Sequence, residues 1–179
     1  NRALPRRGEI GIFNRSHYEE VIVTRVHNLV QNQQIPKELV TNDIWLERYR
    51  QMTDYERYLY ENGTRVVKIF LHVSWDEQRD RLLARINEPD KNWKFSSGDV
   101  RERRFWDQYM EAYEDMMEHT STDYAPWYCV PADSKWYARW VISEIVLKHL
   151  EEINPQFPEL AAEERAVLEE CRRLLENGE

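Results

Sequence analysis

The chain has 179 residues, of which 41% are hydrophobic and 32% charged, and its formal net charge is −8. This length fits one domain with a buried core. The acidic balance argues against a general nucleic-acid binder, and no stretch approaches the roughly 18–20 apolar residues of a membrane helix. We see no export signal, and Cys129 and Cys171 have no metal-ligand spacing. We therefore expect a cytoplasmic protein with free thiols that binds neither nucleic acid nor membrane.

Apolar runs at 9–14, 66–74 and 126–132 predict three buried strands. Each is followed by a helix-competent stretch, which is the alternation typical of a parallel sheet. Ser74 is predicted to cap the third helix in a capping box with Glu77, and Pro89 to end that helix. Helices are predicted at about 17–30, 42–62, 75–88, 99–119, 134–153 and 159–176.

These elements predict an α/β fold, a three-layer sandwich built on a parallel sheet. Three strands are few for such a sheet, which commonly has about five or six. We therefore interpret the chain as the later part of a larger unit.

Six consecutive polar or amphipathic side chains follow the first predicted strand, at positions 14–19. Ligands of open parallel sheets bind outside the carboxyl ends of the strands, where helix N-termini present N–H groups to anions. Arg15 adds a planar donor fork suited to phosphate. Helix capping by Asn14 or Ser16 is the alternative interpretation, but it explains one of the six residues. We call this stretch the 14–19 corner and predict a phosphate site there.

Residues 79–104, which we call the basic segment, carry eight Lys and Arg residues against five acidic ones. On an otherwise acidic protein this suits a local polyanion site, although a solvated helix of mixed charge is the alternative. A loop followed by an arginine-bearing helix is how nucleoside-phosphate kinases build a lid over a transferring phosphoryl group. The segment's cations are Arg79, Arg81, Arg85, Lys91, Lys94, Arg101, Arg103 and Arg104.

Three stretches of the chain together resemble polyphosphate kinase family 2, the P-loop enzymes that move phosphoryl groups between inorganic polyphosphate and nucleotides. They read GEIGIFNRSHYEEVIVTRVH, FLHVSWDEQRDRLLARINEPDKNWKFSSGDVRERRFWDQYMEAYE and TSTDYAPWYCVPADSKWYAR. The NRSHYE form resembles the subgroup that phosphorylates nucleoside mono- and diphosphates. The resemblance implies that residues 1–153 are the C-terminal part of a P-loop kinase-like domain, with a helical lid at about 89–119, and that residues 154–179 are a C-terminal helical extension.

The resemblance also implies roles for single residues. It places a Walker B strand at 10–15 and catalytic roles at Asn14, Arg15, Glu19, Arg103 and Arg104. Asn14 stands where many P-loop proteins have the magnesium-side Asp. The Mg²⁺ or Mn²⁺ site is therefore expected mainly from the phosphate-loop region that this chain lacks, with Glu19 as the ligand that the chain contributes. The implied polyphosphate- and nucleotide-binding residues are His17, Tyr18, Arg81, Arg85, Lys91, Lys94, Asp99, Arg101 and Asp133.

The implied reaction is phosphoryl transfer between polyphosphate and adenine or guanine nucleotides, by a homo-oligomer (dimer or tetramer). The chain departs from the family in one respect, because its five glycines, at 8, 11, 63, 98 and 178, form no G-x-x-x-x-G-K loop. We expect that loop to precede Asn1 and residues 1–179 to be inactive by themselves. An ATP-dependent nucleotide kinase of similar fold and a non-catalytic polyanion-binding or assembly fragment remain as alternatives.

Overall fold

The computed structural model describes residues 3–178, and the chain divides between Glu144 and Ile145 into two compact units. The helices are α1 (Glu19–Val26), α2 (Ile44–Glu61), α3 (Trp75–Asn87), α4 (Ser97–Glu102), α5 (Trp106–Thr120), α6 (Lys135–Ile153) and α7 (Ala162–Asn177). Short 3-10 helices lie at Leu29–Asn32, Lys37–Leu39, Pro89–Lys94 and Arg103–Phe105. No helix within residues 3–178 is long and apolar enough to cross a membrane.

Two strands, β1 (Lys68–His72) and β2 (Trp127–Pro131), form a parallel sheet. The register pairs Lys68 with Trp127 and His72 with Pro131. These strands lie inside the apolar runs predicted at 66–74 and 126–132. The α/β class and the parallel sheet are therefore confirmed.

The strand predicted at 9–14, which would carry the Walker B motif, is wrong for this structure. Residues 9–14 form no strand. Within residues 3–178, the strand that is hydrogen-bonded to β1 is β2. A strand is stabilised by ladder hydrogen bonds to a neighbour, and an apolar sequence alone does not provide them. The apolar side chains of this run consequently lie in solvent, with Ile12 93% exposed.

The core of the first unit lies between α1, α2 and α5. Val21 and Ile22 of α1 pack with Tyr49 of α2 and Met116 of α5 in one buried cluster. The first predicted helix is thus confirmed, and its apolar residues lie in the core. The helix is shorter than predicted, because Asn28 adopts a left-handed conformation (φ 49°) and a 3-10 helix follows.

The helix predicted at 99–119 is interrupted. α4 and α5 are separated by the 3-10 helix at Arg103–Phe105, and α4 begins within the predicted loop, where Ser96 accepts a hydrogen bond from the N–H of Gly98. At the interruption, the Arg103 guanidinium carbon lies 3.7 Å from the centroid of the Trp75 ring. The tertiary contact with α3 therefore coincides with the change in helix geometry.

α3 begins and ends as predicted, but its capping box is incomplete. The Ser74 hydroxyl accepts a hydrogen bond from the N–H of Glu77 at 3.2 Å, and the helix ends at Asn87, before Pro89. The Ser74 N–H donates to Asp133 at 2.7 Å, and the Glu77 carboxylate pairs with Arg81. Asp133, which is 59 positions away, thus accepts the hydrogen bond from the Ser74 N–H that Glu77 would accept in a capping box.

Candidate active site

The 14–19 corner presents a guanidinium–carboxylate pair. Arg15 has a left-handed backbone (φ 74°), which costs a non-glycine residue about 1–2 kcal/mol. Its Nε and Nη2 donate to the two carboxylate oxygens of Glu19, with Nη2 2.8 Å from Oε2. The Arg15 side chain is 73% exposed and that of Glu19 40%. A strained backbone that carries an exposed, oriented guanidinium is the feature of this corner best suited to binding an anion.

Two tyrosines of α5 lie within electrostatic range of this pair. Burial raises the pKa of Tyr113; the negative charge of Glu19 raises this pKa further, and the charge of Arg15 lowers it. Burial also raises the pKa of Tyr109, as does the hydrogen bond that its hydroxyl donates to Glu102. Both hydroxyl groups therefore stay protonated at neutral pH.

The other predicted residues of the corner point in different directions. Asn14 and His17 are exposed, and the His17 ring lies 4.8 Å from the Tyr18 ring and edge-on to Tyr55. Tyr18 is 4% exposed, and its hydroxyl donates to the buried Glu56 at 2.8 Å. This placement does not support the substrate contact predicted for Tyr18.

Arg81 and Asp133, both predicted to bind substrate, meet at the carboxyl ends of the two strands. Arg81 Nη2 donates to the carbonyl oxygens of Ala132 (2.6 Å) and Asp133 (3.1 Å). The Asp133 carboxylate accepts the hydrogen bond from the N–H of Ser74, which lowers the pKa of Asp133. These bonds clamp the loops after β1 and β2 together, so Nη2 of Arg81 is already engaged.

Four further cations of the basic segment are paired within the protein, among them Arg79 with Asp76 and Asp80. Arg85 donates to Asp99 at 2.8 Å, which joins two residues predicted to bind substrate. Arg103 stacks on Trp75 and donates to Gln78 at 2.9 Å. The Lys91 ammonium pairs with Glu88.

The remaining predicted cations, Lys94, Arg101 and Arg104, are exposed. Lys94 lies over the ring of its neighbour Trp93, at 4.8 Å from the centroid. Arg101 donates to the Ser97 hydroxyl at 3.3 Å, and the Arg104 Nε donates to the Arg101 carbonyl at 3.4 Å. Such exposed and weakly held side chains can reorient toward an anion.

The predicted lid is attached to α1 by residues that the sequence did not single out. Glu102 of α4 accepts a hydrogen bond from the Tyr109 hydroxyl (2.9 Å) and lies 2.8 Å from His27 Nε2. His27 follows α1, whereas Arg15 and Glu19 lie at its start. The eight residues of α1 separate these two ends by about 12 Å.

Sequence reasoning also missed a buried ion pair. Lys68 of β1 donates to Glu56 Oε2 at 2.6 Å, and the two side chains are 4% and 1% exposed. The signal in the sequence is a lysine within the apolar run VVKIFLHV, since a buried charge requires a partner.

Metal binding by these residues is limited to part of a ligand set. Within residues 3–178, no group of three or more His, Cys, Asp or Glu side chains is placed to hold an ion. Mg²⁺ commonly takes one or two carboxylates, with waters and substrate phosphates completing the site. Glu19 is a half-exposed carboxylate of this kind, although Arg15 engages both of its oxygens.

The parallel sheet and the helices place the chain in the α/β class, and the solved structures that it resembles are P-loop kinases of that class. Residues 1–158 match the family described as Polyphosphate kinase 2, and the chain belongs to that family. It resembles a crystal structure of polyphosphate kinase 2 from Arthrobacter aurescens TC1, with a TM-score of 0.81 and 40% identity. The match covers 93% of this chain and 56% of that one.

Two curated relatives have longer sequences. An ADP-polyphosphate phosphotransferase of Rhodopseudomonas palustris is 48% identical over 97% of this chain and 61% of its own length. An AMP/ADP-polyphosphate phosphotransferase of Meiothermus ruber is 48% identical over 93% of this chain and 59% of its own length. The chain thus spans about three fifths of the length of these relatives.

Proposed function

We propose that the protein transfers a phosphoryl group between inorganic polyphosphate and nucleoside mono- or diphosphates, with AMP and ADP as the principal acceptors. The observation that carries this proposal is the 48% identity, over nearly the whole chain, to relatives named AMP/ADP- and ADP-polyphosphate phosphotransferases. The exposed guanidinium of the 14–19 corner and the cations of the basic segment support it, because both suit phosphate.

The proposed step is an in-line displacement. A terminal phosphate oxygen of the nucleotide attacks the end phosphorus of polyphosphate, a new P–O bond forms, and the bridging P–O bond breaks. The polyphosphate, one unit shorter, leaves with the electron pair, and the reverse reaction lengthens it. Catalysis of such a step depends on alignment and charge stabilisation rather than on a protein nucleophile.

Within this step we assign Arg15 to the transferring phosphoryl group. Its fork is exposed, and its ion pair with Glu19 lies at the surface, where such pairs exchange at little cost, so the fork can turn to an anion. Arg103 and Arg104 are assigned to the same group from the lid side. Of these two, Arg104 is exposed, while Arg103 would first have to leave Trp75 and Gln78.

We assign polyphosphate binding to Lys94 and Arg101, the other exposed cations described above, and to Lys91 and Arg85 once their carboxylate partners give way. Surface ion pairs contribute about 0–1 kcal/mol, so a polyphosphate chain that carries many charges can displace those carboxylates. We assign nucleotide binding to Asp133, to the exposed ring of His17 and to Asp99 once it is released from Arg85.

We propose a requirement for Mg²⁺ or Mn²⁺, with Glu19 as the ligand that this chain contributes. Such an ion, when bound, neutralises charge on the phosphates. Glu19 would hold the cation in place of Arg15, and the released Arg15 guanidinium would bind the phosphoryl group. Both residues are exposed enough for this exchange.

We also propose a cytoplasmic homo-oligomer, a dimer or a tetramer. The aromatic residues Trp136 and Trp140 of α6 are 73% and 55% exposed, and such side chains are enriched in protein interfaces. Light scattering coupled to size-exclusion chromatography would measure the subunit number, and a single-subunit mass would contradict the proposal. Cell fractionation tests the compartment.

The function is tested by incubating the complete protein that carries this sequence with polyphosphate, Mg²⁺ and either AMP or ADP. We expect ADP and ATP to appear, as followed by chromatography and by ³¹P NMR. ATP replaces polyphosphate as donor in a parallel reaction. Transfer from ATP alone would instead favour an ordinary nucleotide kinase, and no transfer from either donor would favour a binding module. Residues 1–179 alone serve as the comparison that tests the expected dependence on a phosphate loop.

A further inference from the structure

The buried residues Tyr18, Glu56, Lys68 and Thr120 form one hydrogen-bonded group, which we call the Lys68 network. Lys68 Nζ donates to Glu56 Oε2 (2.6 Å), to the Thr120 carbonyl (2.7 Å) and to the Tyr18 hydroxyl (3.2 Å). The Tyr18 hydroxyl donates to the other oxygen of Glu56 at 2.8 Å. No member is more than 5% exposed.

The network is fully connected. All three donors of the ammonium and both carboxylate oxygens have partners. The Thr120 hydroxyl donates to the Met116 carbonyl at 2.5 Å and accepts from Trp127 Nε1 at 2.9 Å. The group therefore ties the residue before α1 to α2, β1, α5 and β2. Such satisfied networks hold their members in one geometry.

Stability alone is a weak explanation for this arrangement. Replacing a buried ion pair by apolar residues of similar volume is often neutral or stabilising, because both charges lose their hydration on burial. Burial does lower the pKa of Lys68, which shows that its charge is held at a cost. An apolar group could fill the same space, but it could not hold a hydroxyl in a fixed direction.

The held hydroxyl belongs to the buried residue of the 14–19 corner. Residues 14–17 are exposed and Glu19 is half-buried, whereas Tyr18 is in the core. Tyr18 stands three positions after Arg15, with its left-handed backbone, and directly before Glu19. Two hydrogen bonds support this turn locally: the Tyr18 N–H donates to the Ser16 hydroxyl at 3.3 Å, and the Glu19 N–H donates to the Ser16 carbonyl at 3.2 Å.

We propose that Glu56 and Lys68 are positioning residues. They fix the Tyr18 hydroxyl, and through the Tyr18 backbone they fix the turn that aims the Arg15 guanidinium and the Glu19 carboxylate at the phosphates. This rests on the proposed function for the catalytic consequence, while the mechanical link from network to corner does not depend on it.

The principal test is the variant Tyr18→Phe, which removes the held hydroxyl and leaves the ring and the Lys68–Glu56 pair. Tyr49→Phe is the matched control, because Tyr49 is a buried tyrosine (3% exposed) of the same core whose hydroxyl accepts from Arg25. We expect kcat to fall about tenfold in Tyr18→Phe, with an unchanged KM for polyphosphate. Tyr49→Phe should keep the wild-type kcat, and its melting temperature should fall by about as much as that of Tyr18→Phe.

The mechanical link is tested without any activity assay. Trypsin cleaves after Arg15, and the exposed Arg172 in α7 supplies a reference site in the same molecule. We expect the rate of cleavage at Arg15, relative to that at Arg172, to rise about fivefold in Tyr18→Phe and to stay unchanged in Tyr49→Phe. Mass spectrometry of the early peptides measures both rates.

Two double variants distinguish the role of the acceptor oxygen at position 56 from the role of the charges of Glu56 and Lys68. Glu56→Gln with Lys68→Met removes both charges and the Lys68 donor but keeps an oxygen that can accept from Tyr18, so we expect kcat and Arg15 cleavage between those of wild type and Tyr18→Phe. Glu56→Leu with Lys68→Met removes the acceptor as well, and should behave like Tyr18→Phe.

Unchanged cleavage at Arg15 in Tyr18→Phe overturns the positioning role, whatever the kinetics. Equal kcat in the Tyr18→Phe and Tyr49→Phe variants overturns the catalytic consequence. A wild-type protein that transfers no phosphoryl group, yet shows the expected cleavage pattern, would refute the proposed function and leave the mechanical link standing.

Discussion

The 14–19 corner and the basic segment both carry arginines suited to phosphate, but the protein holds them in different ways. Arg15 projects from a turn that is anchored in the core three residues later, at Tyr18. The basic segment instead makes mainly surface pairs, such as Arg85 with Asp99 and Lys91 with Glu88. A buried anchor holds one geometry, whereas surface pairs exchange partners at little cost. The 14–19 corner is thus suited to holding a charge in a fixed direction, and the basic segment to changing its contacts as a substrate moves.

The sharpest contrast between the regions concerns two lysines. Lys68→Met leaves Glu56 charged and buried without its partner, so we expect the free energy of unfolding to fall by about 3–5 kcal/mol. Lys91→Met breaks an exposed pair and should cost no more than about 0.5 kcal/mol. Chemical denaturation of both variants measures the difference. Equal losses would show that the anchor contributes no more than a surface pair.

The second contrast concerns catalysis. Arg15→Ala should lower kcat by about 10²-fold or more, because it removes an oriented donor from the transferring charge. Arg172→Ala, on the exposed face of α7, is the control and should leave kcat unchanged. Steady-state kinetics with polyphosphate and ADP checks this. Turnover of Arg15→Ala within a few-fold of wild type would refute the assignment of Arg15.

A smaller effect is expected from the basic segment. The double variant Arg101→Ala with Arg104→Ala removes two exposed charges worth about 0.2–1 kcal/mol each, so KM for polyphosphate should rise roughly two- to thirtyfold. Added salt should weaken wild-type binding steeply and the variant less, since exposed charges are screened. A KM independent of salt would show that this segment does not bind the polyanion.

The smallest effect concerns the clamp at the strand ends. The hydrogen bond from Ser74 lowers the pKa of Asp133, so its ionised form stabilises the fold above the unfolded pKa of about 3.9. This contribution is lost as pH falls through the lower, folded pKa. The wild-type protein should therefore melt at a higher temperature than Asp133→Asn near neutral pH. This difference in melting temperature should disappear in acid. A difference in melting temperature that grows below about pH 4 would contradict this prediction.

Local patterns predicted where several of the helices and strands begin and end. The Ser74 cap, the end of α3 before Pro89 and the two strands follow from residue type and spacing. The 9–14 run was misinterpreted for the same reason, because a strand-like sequence does not indicate whether a neighbouring strand is present to pair with it. Likewise, the interruption between α4 and α5 coincides with a contact between Arg103 and Trp75, 28 positions apart.

The sequence by itself determined the α/β class, the family and the two regions suited to phosphate, since these depend on residue types in a local order. Only the tertiary structure decided which of the predicted side chains are accessible. Tyr18 binds Glu56 across 38 positions, Lys68 binds Thr120 across 52, and Arg81 binds Ala132 across 51. Such long-range partners form when the chain folds, because burial removes water and leaves each polar group to the nearest partner that packing provides.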